Sequence, residues 1–185
     1  MFKSLGKFWA AVTVMTVTVF GLVAIPSEQE PAAALNGSMF DPGLIISDSV
    51  FYDFGTMSVA DIQRFLDGRV AACRAAADRP GCIKDYRLST PGATGSPGRC
   101  ESVPAKSNIT AAELIYDIAR ACGKNPRVIL VKLQKEQGLI TSTDPSPRAY
   151  DFALGMDCPD SPSGCSAASA GFFWQLYKGV GQLNW

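Results

Sequence analysis

Proton chemistry in this chain falls to carboxylates. It has no histidine, which removes Ser-His-Asp and Cys-His nucleophile systems and every histidine-ligated zinc site. Glu136 is the carboxylate in the most unusual place. It is predicted to lie in the last turn of a helix, just before Gly138. A helix C-terminus carries partial negative charge, so a glutamate there is pushed toward its protonated, proton-donating form. That effect is about 0.3–1 kcal/mol, and a working general acid needs apolar walls as well. Phe172, Phe173, Trp174 and Tyr177 are available as walls. The plainer alternative is an exposed glutamate held by Lys132 one turn back. Asp144, Asp151 and Asp157 are candidate partners with no distinguishing mark, each equally readable as a loop residue.

The six cysteines, Cys73, Cys82, Cys100, Cys122, Cys158 and Cys165, are the second set with chemical potential. No pair has C-x-x-C spacing, so a zinc ribbon is not indicated and no metal or cofactor is expected. An even count behind an export signal implies disulfides, each contributing roughly 2–4 kcal/mol. Spacing alone leaves many pairings open. Cys158 and Cys165 enclose a Pro/Ser/Gly loop and are expected to form a local bridge. Cys73–Cys82 and Cys100–Cys122 complete the expected layout, the latter pinning a long insertion to a helix.

The export signal is read from residues 1–34. Lys3 and Lys7 form a basic start, an uncharged apolar run covers Ala10 to Ile25, and Ala32-Ala33-Ala34 offers a small-residue cleavage site. An uncleaved anchor is the alternative, but the run is short for a bilayer, threonine-rich and closed by Pro26. Cleavage after Ala34 is expected, leaving a mature protein outside the cytoplasm with no membrane segment. The chain has 17 basic and 17 acidic residues and no net charge. The leader removes two of each sign, so the mature part stays neutral. Nucleic acid, which calls for a basic surplus, is not an expected partner.

Helices must position these groups. Ser58 with Asp61 reads as a capping box, and Met57 with Ile62 as a hydrophobic staple, opening a helix that Gly68 ends. Thr110 with Glu113, and Ile109 with Leu114, repeat both signatures for a second helix ending at Gly123. Asn125 as N-cap and Pro126 at the first position open a third, apolar nearly all round and therefore expected to be buried, with Gly138 as its C′ residue. A fourth is expected over about 168–183. Residues 35–57 are expected to hold a short strand or an extended arm, 78–106 an irregular insertion pinned by cysteines, and 141–166 a loop region. The division is therefore 1–34 leader, 35–106 N-terminal segment with helix and insertion, and 107–185 helical core. The apolar segment running up to Trp185 suggests that the chain continues.

The segment Asn125-Pro-Arg-Val-Ile-Leu-Val-Lys-Leu-Gln-Lys-Glu-Gln-Gly-Leu-Ile-Thr141 resembles a family of secreted Gram-positive bacterial proteins with the pattern N-P-x-x-(apolar)₃-x-L-Q-K-E-Q-x-L-I-T. These are similar to the lysozyme-like superfamily, which includes goose-type lysozymes and soluble lytic transglycosylases. The resemblance implies a mainly α, lysozyme-like α+β domain stabilised by disulfides. It also implies that Glu136, in Glu136-Gln137-Gly138, is the catalytic acid/base. A G-x-M-Q element lines the saccharide cleft in transglycosylases. Gly171-Phe-Phe-Trp-Gln175 is similar with one more residue, and suggests Gln175 and Trp174 as saccharide contacts. Tyr150 and Arg148, on the loop after the Glu136 helix, are further candidates. The implied activity is cleavage of the MurNAc–GlcNAc β-1,4 bond of peptidoglycan by one glutamate. The competing expectations are a non-catalytic wall-glycan-binding protein on the same scaffold and a surface protein with a protein partner.

Overall fold

The computed structural model describes Gly37, residues 41–160 and residues 164–184; the expected leader and its cleavage site lie outside the described residues. The chain divides into two units, of which the second is Asp41–Trp185. The second is mainly helical with a two-stranded sheet. Its elements in order are α1 (Asp48–Phe51), α2 (Val59–Asp67), β1 (Arg87–Thr90), β2 (Lys106–Thr110), α3 (Ala111–Cys122), α4 (Pro126–Gln137), α5 (Pro147–Asp151), a 3-10 turn (Ala167–Ser169), α6 (Phe172–Gly181) and a closing 3-10 turn (Gln182–Asn184).

Helix α3 is the hub. Ala111, Ala112, Leu114, Ile115, Ile118, Ala119 and Cys122 are all buried, and α2, α4, α6 and β2 pack around it. Its start is fixed by the Thr110–Glu113 capping box. Glu113 Oε2 accepts from Thr110 N–H at 2.7 Å, and Thr110 Oγ1 accepts from Glu113 N–H at 3.1 Å. Gly123 closes it in the left-handed region at φ 62°. Helix α2 starts with the same reciprocal box, Ser58 with Asp61, and Met57 and Ile62 are both buried.

Four features differ from expectation. Residues 48–51 form a short helix rather than a strand. The 78–106 stretch is not wholly irregular: β1 pairs antiparallel with β2, and bridges at Ala93–Val103 and Ser96–Cys100 extend the ribbon. Helix α4 is buried on one face only. Ile129, Leu130 and Leu133 are covered, whereas Val131 is 65% exposed. A short helix, α5, interrupts the 141–166 loop.

The cysteines form three bridges, Cys73–Cys82, Cys100–Cys122 and Cys158–Cys165, with none free. Cys100–Cys122 fastens the insertion to the end of α3. No helix among the described residues is long and apolar enough to cross a membrane. Three disulfides fit an oxidising, extracellular setting.

Two measurements check this account. A Cβ on Gly181 would stand 2.8 Å from Cys100 Sγ, so Gly181→Ala should cost about 1–3 kcal/mol in chemical denaturation. Elsewhere in a helix that change is mildly stabilising, so the sign decides. Hydrogen bonds from the Ser58 side chain and backbone, then the Arg64 contact, hold Asp61 down at about 2 against an ordinary 3.8. A depressed carboxylate stabilises the fold above its unfolded value and loses that contribution as pH falls through its folded one. Asp61→Asn should therefore melt below wild type at about pH 5, and the gap should close as pH falls toward about 2. Thermal unfolding across that range reads it.

Candidate active site around Glu136

Glu136 lies in the final turn of α4, whose C-cap Gly138 adopts φ 63°. Its side chain is 27% exposed and pairs with Lys135, Nζ to Oε1 at 3.0 Å. Lys132 is the partner only in the plainer alternative of an exposed glutamate. Lys135 is the one in contact, and Lys132 instead lines a groove. The other carboxylate oxygen faces backbone. A Cβ built on Gly155 would lie 3.5 Å from Glu136 Oε2, and Gly155 itself sits at φ 65°. The loop carrying Gly155 is joined to α4 by Gln137 Nε2, which donates to Phe152 O at 3.3 Å.

The groove holds about 270 Å³ and is lined by Lys132, Leu154–Asp157, Gly179, Gln182 and Leu183. Glu136 stands beside it, one helical turn from Lys132 and against Gly155. The close fit of α6 is visible at Gly179, where a Cβ would meet Leu154 at 3.1 Å.

The predicted saccharide contacts separate into distinct roles. Gln175 is fully buried, not cleft-lining. Its Oε1 accepts from Leu154 N–H at 3.1 Å and Met156 N–H at 3.0 Å. Its Nε2 donates to Met156 O at 3.1 Å and Ser169 O at 2.7 Å. It thus grips both neighbours of Gly155. Tyr150 is also buried. Its hydroxyl donates to Gly81 O at 2.9 Å, its ring stacks on Tyr86 at 4.0 Å, and burial pushes its phenol well above the ordinary range. Both are structural because the α5–α6 junction is packed, which spacing along the chain does not reveal.

Trp174 is half-buried, edge-on to Phe173 at 5.0 Å, with Lys178 Nζ 5.5 Å from its ring. Arg148, on α5, is exposed and stacks over Phe152 at 4.8 Å, the residue whose carbonyl meets Gln137.

Among the three aspartates, Asp144 is paired with Arg79 at 4.0 Å. Asp151 is exposed, and its charge helps raise the Tyr86 phenol after burial has done most of it. Asp157 lines the groove, in a left-handed conformation at φ 56°, and its carboxylate accepts from the Ser169 hydroxyl. Among the described residues no cluster of three metal-binding side chains is present.

Gly155 is the site residue that the sequence reading missed. It lies in the segment Ala153-Leu-Gly-Met-Asp-Cys158, where nothing marks the glycine itself as a site residue. No protein-family model, curated protein or solved structure matches the chain.

Gln175→Leu keeps the volume but strips four backbone groups of their partner. A buried group left unpaired costs roughly 1–3 kcal/mol, so the variant should lose several kcal/mol in denaturant unfolding. Hydrogen exchange at Leu154 and Met156 should accelerate first. Unchanged protection there would show that Gln175 does not hold the loop.

Proposed function

We propose that the chain is an exported glycan-acting domain on a lysozyme-like scaffold that cleaves the MurNAc–GlcNAc β-1,4 bond of peptidoglycan, with Glu136 as acid and then base. The observation that carries this reading is Glu136 itself. It is a part-exposed carboxylate at a helix end, one oxygen against a side-chain-free backbone wall, in a chain with no histidine. The resemblance around Asn125–Thr141 supplies the substrate class.

Most glycoside hydrolases use two carboxylates. The groove's other carboxylate, Asp157, is engaged by Ser169, which favours a one-glutamate route. Protonated Glu136 gives its proton to the glycosidic oxygen as the bond to C1 breaks. The resulting carboxylate then takes the proton of the sugar's own C6 hydroxyl as that oxygen closes on C1. An anhydro end and a regenerated acid result, and no water is consumed.

A second reading, a wall-glycan-binding module, is favoured by two facts. Lys135 neutralises Glu136 at 3.0 Å. The groove, at about 270 Å³, is also below the usual range of about 300–1,000 Å³ for ligand pockets.

Release of soluble muropeptides by wild type and Glu136→Gln separates the readings. General acid–base catalysis is worth about 10²–10⁴-fold, so the variant should lose activity on that scale at an unchanged melting temperature. Anhydro product ends support the one-glutamate route, and reducing ends support hydrolysis. A wild type that sediments with peptidoglycan but releases nothing makes the binding module the correct reading.

A further inference from the structure

Two uncovered apolar surfaces of opposite charge occur on this chain. The first is the arm leading into α1. Leu44, Ile45 and Ile46 are exposed, Ile45 to 79%, and Val50 follows on α1. The arm is acidic: Asp41, Asp48 and Asp53 lie along it, and no basic residue occurs from Asp41 to Gln63. The second is a groove of about 490 Å³ between α2 and α4. Its floor is Met57, Phe65, Leu130 and Ile140, with exposed Val131 on the α4 side. Arg69 and Arg127 stand at it, and no carboxylate lines it. The Arg69 guanidinium lies over the Phe65 ring at 4.3 Å, and neither arginine forms an ion pair among the described residues.

Each surface lacks what the other carries. Exposed aliphatic side chains gain about 25 cal/mol for each Å² removed from water. An acidic segment laid between two arginines adds charge-assisted contacts and fixes direction. In the chain's own structure the groove stays open while the triad stays in solvent. The base of the arm is held at α1, where Asn125 N–H donates to Phe51 O and Asn125 Nδ2 to Val50 O, both at 2.9 Å.

We propose that the groove between α2 and α4 receives the Leu44–Ile46 arm of a second copy of this chain, Asp41 and Asp48 meeting Arg69 and Arg127. Reciprocal exchange of the arms closes a two-fold dimer. The residues involved are outside the Glu136 groove, so the pairing does not depend on glycan cleavage.

Sedimentation equilibrium of protein expressed from the whole chain should show a monomer–dimer equilibrium. Ile45→Asp and Val131→Asp, both at exposed positions, should each weaken it at least tenfold without lowering the melting temperature. Asp48→Arg and Arg127→Asp should each weaken self-association, and mixing those two variants should restore a mixed dimer. Mixed Ile45→Cys and Val131→Cys proteins should cross-link between molecules. A chain that stays monomeric at high micromolar concentration overturns the proposal. So does a dimer indifferent to both aspartate substitutions, or an Ile45→Cys/Val131→Cys double variant that cross-links within one molecule.

Discussion

The carboxamide of Gln175 is the interaction on which the Glu136 region depends. An amide buried without partners costs roughly 2–7 kcal/mol. Gln175 is fully buried, and its two acceptor sites and two donors are all used. Three of those bonds go to Leu154 and Met156, so the backbone on both sides of Gly155 is fixed to α6. The fourth, to Ser169, fixes the turn before α6. Ser169 in turn bonds Asp157, and Lys178 donates to Ser169 Oγ at 3.1 Å and Ala168 O at 2.7 Å. One helix therefore holds the loop, the turn and the groove aspartate, and with them the backbone that faces the Glu136 carboxylate.

A second tie gathers the opposite end of α3. Cys122 is bridged to Cys100, and Asn184 Nδ2 donates to Cys122 O at 2.8 Å. Lys124, just past the cap, is buried, donates to Asn184 and lies 4.1 Å from the Tyr52 ring. Burial lowers its pKa, and the aromatic face and carboxamide offset part of the lost hydration. The insertion, α1 and the closing turn are thereby anchored to a helix whose inner face is entirely apolar. A chain of this size with a modest core gains from covalent ties at the points where irregular segments meet helices.

Much of the helical framework was legible because its signals are local. Capping boxes at Ser58 and Thr110, and the Asn125-Pro126 start, depend on residues within one turn of each other. The sheet was not legible. Strand β1 is Arg-Leu-Ser-Thr, too short and polar for an alternation to register, and its partner lies beyond a glycine- and proline-rich stretch. Helix α4 looked apolar all round because Val128 and Val131 count as apolar whichever way they face. Only the packing of neighbours shows that Val131 faces out. Gln175 and Tyr150 were read as saccharide contacts for the same reason: a polar side chain that completes a buried network and one that lines a cleft have identical spacing. Glu136 was legible as a candidate because its place at a helix end follows from Gly138 alone. Gly155 was not, since its relation to Glu136 is made by the fold.

The charge around Glu136 then has a simple logic. The helix end and the lysine act in opposite directions on the same carboxylate, and exposure decides their weight. The Lys135 side chain is 76% exposed, and an ion pair in that setting is worth about 0.2–1 kcal/mol. The helix end acts on it with opposite sign. A saccharide laid along Gly155 would change the balance by removing water from the carboxylate, which strengthens every nearby charge and penalises the ionised form unless Lys135 follows it into the dry region. A lysine so far out in solvent is poorly placed to follow. On the glycan-cleaving reading, substrate itself therefore supplies the apolar wall that the free protein lacks. On the same reading, the bare backbone at Gly155 is the surface the sugar would lie against.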